Sequence, residues 1–243
     1  GSIGTNEADE GWRFMGLPVT GGSAGDLQKA DGSGFINFGL PMAYRWDDTN
    51  GSWTQIGSDT ALPPGRGFIL WIYDETDFYP VDPSLTIQLP ETLTPPGDVT
   101  VTVGDNTPSA DEALDTGATK HLLANPYAVP FNTNALGTPG GDDFQDEVQI
   151  WEPNATAGGN DASGTDDGNV GSYVKRSRSS GESVAPWQAF WLFRSGNTQS
   201  QVAFDPAGRA PGTSVGFVGS KSNATTEVRQ IDLQLVVRDA DST

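Results

Sequence analysis

The feature that most constrains this 243-residue chain is that it repeats itself. "GWRFMGLPV" (Gly11–Val19) is answered by "TKHLLANPYAV" (Thr119–Val129), with Pro18 opposite Pro126. "AYRWDD" (Ala43–Asp48) is answered by "VQIWEP" (Val148–Pro153), with Trp46 opposite Trp151. "LPPGRGFILWIY" (Leu62–Tyr73) is answered by "VAPWQAFWLFR" (Val184–Arg194), placing Pro64 opposite Pro186 and Phe68 opposite Phe190. More loosely, "SLTIQLP" (Ser84–Pro90) is answered by "SQVAFDP" (Ser200–Pro206). The blocks keep their order while the segments between them change length, so each half reads as one supersecondary unit with variable loops.

The units are β-structure. Short runs rich in Val, Ile, Phe, Trp and Thr alternate with turn clusters, and no stretch holds apolar residues at helical spacing for three turns. The 31 glycines and 17 prolines supply turns rather than helix interiors. The pattern predicts an all-β fold of two tandem, pseudo-repeated antiparallel β-sandwich units of jelly-roll-like form. Helix is confined to a turn or two, near Ala24–Ala30 or Asn132–Leu136. The expected organisation is a tag scar and leader (1–10), a first β-repeat (11–104), a linker (105–118) and a second β-repeat (119–218). Residues 219–243 form either a terminal strand or the start of a truncated following module.

The repeated motifs carry a resemblance. A "GWR…PV" opening, a Trp after an aromatic strand, "LPPGRGF" before an aromatic strand, then "NP" and "APWQAFW" resemble a repeated region of large proteins exported by the type IX secretion route. In those proteins the region precedes the C-terminal sorting domain; none is visible here. The resemblance covers most of Gly11–Pro206, and the first copy departs from it with Leu17-Pro18 where the second has Asn125-Pro126. It implies secretion, cell-surface or matrix duty, and further domains in a longer parent chain. It carries no catalytic residue set.

Charge narrows the partners. Acids outnumber bases 32 to 13, for a formal charge of −19, and lysine occurs only four times. Such a surface repels nucleic acid and anionic membrane. It suits either a halophilic chain, whose self-repulsion is screened in high salt, or an ordinary acidic secreted protein. No apolar stretch approaches the roughly 20 residues that span a bilayer, so no membrane insertion is expected. With no cysteine, thiolate metal sites and thiol catalysis are excluded.

Candidate binding residues cluster at "YRWDDTNGSWTQIG" (Tyr44–Gly57). Asn50-Gly51 predicts a two-residue type I′ hairpin, pairing Asp48 with Trp53 and Trp46 with Gln55, so that Tyr44, Trp46, Trp53 and Gln55 share a face. An aromatic face beside an acidic turn fits both a buried sheet edge and a sugar-binding surface. Trp46 and Trp151, present in both copies, read as core. Trp53 and Trp187 lack aromatic partners in the other copy, and with Asp47 and Asp48 they are the candidate glycan contacts: rings to stack, carboxylates to accept hydroxyl hydrogen bonds.

Calcium is the candidate cofactor, at Asp161, Ser163, Thr165, Asp167 and Asn169, where oxygen-bearing side chains fall at every second position. This loop lacks the Gly and Glu of an EF-hand, and a solvated turn-rich loop is the alternative. "GGSAG" (Gly21–Gly25) matches a nucleophile motif, but the strand-to-helix setting is absent and His121 is the one histidine. "YDETDF" (Tyr73–Phe78) is dense in acids, and "KRSRSS" (Lys175–Ser180) is a short basic patch with acidic neighbours to pair with. The reading is a non-catalytic β-sandwich module of a secreted or cell-surface protein, serving structure, adhesion or polysaccharide binding. The alternative is a carbohydrate-active enzyme whose carboxylate pair no motif marks.

Overall fold

A computed structural model of the chain describes residues 11–27, 43–72, 95–104, 119–139, 144–152, 172–194 and 201–213. Their regular structure is strand: β1 (Gly11–Met15), β2 (Ala43–Asp47), β3 (Ser52–Gln55), β4 (Phe68–Ile72), β5 (Val99–Thr102), β6 (Thr119–Ala124), β7 (Phe131–Asn132), β8 (Leu136–Gly137), β9 (Phe144–Glu152), β10 (Ser172–Ser177), β11 (Ser183–Val184), β12 (Ala189–Arg194) and β13 (Gln201–Phe204). The described residues hold no α-helix, only single 3-10 turns at Ala24–Asp26, Thr133–Ala135 and Pro206–Gly208. The protein is essentially all-β, and every strand pairing among the described residues is antiparallel.

The repeat is written into the sheets. The first half forms a sheet of order β1-β4-β2-β3; the second forms one of order β6-β12-β9-β10. Register agrees with the sequence blocks: Met15 stands opposite Phe68, and Leu123 opposite Phe190. A further three-stranded sheet, β5-β13-β8, takes β5 from ahead of the linker and pairs it with β13 of the second half. The segments 105–118 and 219–243 lie outside the described residues.

Two equivalent turns lace the halves together. Arg66 N donates to Pro63 O at 3.2 Å, and Gln188 N to Ala185 O at 3.3 Å. Each turn has proline second and a positive φ third, Gly65 at 86° and Trp187 at 65°, the type II pattern. Gly16 N then donates to Trp187 O at 2.8 Å, and Ala124 N to Gly65 O at 2.9 Å. Isolated bridges join Met15 to Gln188 and Leu123 to Arg66. Each half gives the other the contact that it receives, the self-complementary arrangement of a two-fold dimer built within one chain.

Side-chain alternation builds three apolar layers. Phe68 and Leu70 of β4 point outward with Met15 and Ala43, under Leu17, Val19, Leu27, Ile56 and Leu62. Trp187 reaches from the other half into this layer. Between the two four-stranded sheets lie Phe14, Trp46 and Ile69 from one and Leu122, Ala189, Trp191 and Phe193 from the other. The opposite face of the second sheet (Leu123, Val148, Ile150, Phe190, Leu192) packs on Val99, Val101, Val202 and Phe204. β12 is therefore buried on both faces, which explains its unbroken apolar run.

The Leu17/Asn125 departure has a local cause. Leu17 fills the outer layer, whereas the buried Asn125 ties its loop together, donating from Nδ2 to Val129 O (2.8 Å) and Ala185 O (3.0 Å) while Oδ1 accepts from Tyr127 N (3.0 Å).

The turn glycine is held on two counts. A Cβ at Gly65 would stand 2.6 Å from Val101 Cγ2 and 2.9 Å from Val99 Cγ1, at a φ that L-residues disfavour. Gly65→Ala is expected to destabilise by about 2–4 kcal/mol, overpacking and backbone strain together. Gly212→Ala, with φ +87° but open space around it, should cost only the backbone part, about 1 kcal/mol. Urea denaturation of the two variants separates these contributions.

Candidate functional site

The site begins with the hairpin. β2 and β3 pair Trp46 with Trp53 and Asp47 with Ser52, which leaves a four-residue loop, Asp48–Gly51. This corrects the expected two-residue turn. A type I′ turn needs positive φ at both central residues, and here Gly51 has it (61°) while Asn50 does not. The cause is Asp47. Its Oδ1 accepts from Thr49 N (2.9 Å) and Asn50 N (3.1 Å), its Oδ2 from Asn50 Nδ2 (2.7 Å), and its carbonyl from Gly51 N (2.9 Å). Those bonds hold the Asp47 carboxyl below its usual range, the Asn50 side chain contributing most. The register moves by two residues, so the predicted face survives, since only an odd slip exchanges faces.

An aromatic band follows from that register. Trp46 meets Trp53 (5.4 Å between ring centroids) and Trp191 (5.2 Å), both edge to face. Trp53 also lies 5.7 Å from Trp191 and 6.2 Å from Phe14. Phe14 continues to Trp151 (5.8 Å) and Tyr173 (6.3 Å), and Trp151 meets Tyr173 at 5.0 Å. Lys120 Nζ sits 4.8 Å from the Trp46 ring centroid and 5.7 Å from that of Trp191, both within cation–π range. Trp46 Nε1 donates to Lys120 O at 2.9 Å, anchoring the ring across the two halves.

The two ends of this band are equivalent. Tyr173 stands opposite Trp151 as Trp53 stands opposite Trp46, so Trp53 has a counterpart after all. The long segment 153–171 separates Trp151 from Tyr173 in sequence, whereas four residues part the strands of the first hairpin, and this hid the match. Trp53 is 38% exposed and Tyr173 42%, and these are the exposed large apolar side chains among the described residues. Trp191 Nε1 donates to the Tyr173 hydroxyl at 3.2 Å. Burial pushes the Tyr173 phenol up from its ordinary value.

The other candidates are placed elsewhere. Trp187 is 3% exposed, inside the outer layer of the opposite half, and offers no surface to a ligand. Its left-handed φ is strained for tryptophan by ~1–2 kcal/mol, offset by burial of the ring. Asp48 is 6% exposed. Its Oδ2 pairs with Arg66 Nη1, and Oδ1 lies 3.4 Å from His121 Nδ1. Burial would push this carboxyl up, but the His121 imidazole and the Arg66 guanidinium outweigh it and hold the pKa below 3.8. The same Arg66 donates through Nη2 to Thr102 O. Asp48 is thus an internal charge joining the first half to β6 and β5, not an acceptor for sugar hydroxyls.

Asp161, Ser163, Thr165, Asp167 and Asn169 lie outside the described residues, as does Tyr73–Phe78. No metal-holding cluster of His, Asp and Glu occurs among the described residues. Ser23 closes its 3-10 turn, its Oγ donating to Asp26 Oδ2 at 2.8 Å. In the basic patch, Arg176 pairs with Glu182 (2.9 Å), and Lys175 with Glu147 (3.0 Å). No helix among the described residues is long and apolar enough to cross a membrane. No protein-family model, curated protein or solved structure matches the chain.

Proposed function

We propose that this protein is a non-catalytic β-module of a secreted or cell-surface protein that binds glycan along the aromatic band. One observation carries the reading: Trp53 and Tyr173 occupy the same position in the two copies and stay exposed although Phe14, Trp46 and Trp191 in the same band are buried. A flat apolar ring stacks on the C–H face of a sugar, and a ring held by neighbours loses little freedom on doing so. Phe14 and Trp191 hold both rings in this way, which supports a preformed surface rather than incidental exposure. The extracellular setting rests on the acidic surface and on the likeness of the repeated motifs to type IX exported proteins.

Trp53→Ala and Tyr173→Ala are each expected to weaken retention on insoluble polysaccharide about tenfold, or ~1.4 kcal/mol, with little change in melting temperature. Depletion assays on cellulose, chitin and xylan provide the measurement. Retention of both variants equal to that of the unaltered protein would refute the reading.

A further inference from the structure

The two ends of the band differ in what lies beside the exposed ring. Beyond Trp46–Trp53, the next pair on that face is Tyr44–Gln55. Beyond Trp151–Tyr173 come Gln149–Lys175 and then Glu147–Ser177. These side chains form a polar group: Glu147 Oε1 accepts from Gln149 Nε2 at 2.6 Å and lies 3.0 Å from Lys175 Nζ. The Lys175 side chain is 66% exposed and that of Glu147 32%, so both reach solvent. Alternate residues of a strand share a face about 7 Å apart, so the group begins one step from the Tyr173 ring.

We infer that Tyr173, Gln149, Lys175 and Glu147 form a hydroxyl-reading subsite for a neutral glycan with vicinal hydroxyls, whereas the Tyr44–Gln55 pair beside Trp53 offers no charged pair. The inference rests on the glycan-binding reading above. An ionised carboxylate only accepts hydrogen bonds and an ammonium only donates them, whereas a sugar hydroxyl does both. Two neighbouring hydroxyls therefore suit an adjacent Glu–Lys pair, one donating to Glu147 and the other accepting from Lys175, while the ring face rests on Tyr173. Gln149 and Lys175 hold the carboxylate in place before the ligand arrives. Lys175 and Glu147 cancel locally, and the chain carries −19 overall, so a polyanionic glycan is repelled where a neutral one is not.

The test is calorimetric titration of the full chain with three neutral probes (soluble β-glucan, xylan and galactomannan) and with polygalacturonate. At least one neutral probe should bind at least tenfold more tightly than polygalacturonate. Lys175→Met and Glu147→Gln should each weaken that binding about tenfold with unchanged melting temperature. Equal affinity for polygalacturonate, or neutral binding that Tyr173→Ala abolishes but neither polar variant alters, overturns this subsite and leaves the glycan reading standing. Absence of binding to all four probes overturns this subsite, and absence of retention on cellulose, chitin and xylan as well overturns both.

Discussion

Trp46→Ala is expected to destabilise the protein by about 3–5 kcal/mol, as large core truncations do. That is a large share of the roughly 5–15 kcal/mol that holds a domain folded. The ring is 8% exposed, packs edge to face on Trp53 and Trp191, and donates from Nε1 to Lys120 O across the halves. Its removal leaves a void between the two sheets and also breaks a bond joining them. Trp53→Ala removes a ring that is 38% exposed and should cost about 1 kcal/mol, since truncation of a surface side chain leaves no closed cavity. Urea denaturation of both variants decides the matter. Equal losses would make Trp53 core and remove the basis of the binding surface.

Asp48→Ala is expected to cost about 3 kcal/mol, at the lower edge of the range for breaking a buried charge pair. His121 is fully buried and loses its charged neighbour. Arg66 sets the lower edge, because its side chain is 31% exposed and water can partly replace the carboxylate. The pH dependence has a definite sign. A carboxyl whose folded pKa lies below 3.8 contributes its full stability above that value and loses it as pH falls through the lowered folded pKa. Asp48→Asn should therefore flatten the acid limb of the stability curve below about pH 4 while leaving its shape near neutrality unchanged. An acid limb identical to that of the unaltered protein would show that Asp48 does not set it.

The sequence by itself determined the strand content and the duplication. Strand patterning and turn residues are local, and the motif alignment that sets Met15 against Leu123 and Phe68 against Phe190 agrees with the equivalent pairs Met15/Phe68 and Leu123/Phe190 in the two sheets. It also determined which face Trp46 and Trp53 share, because a period of two survives the two-residue error in the hairpin. Only the tertiary structure decided how the halves meet. Nothing local says that the Pro64-Gly65 and Pro186-Trp187 turns each lie against the opposite half, or that this buries Trp187. Asp48 follows the same logic: its neighbours in sequence form an exposed turn, but Arg66, at the lacing turn, and His121, on β6, draw it inward. Tyr173 was hidden for the reverse reason. The sheet sets it opposite Trp151 through backbone pairing, which operates across space and is indifferent to the length of chain between the strands.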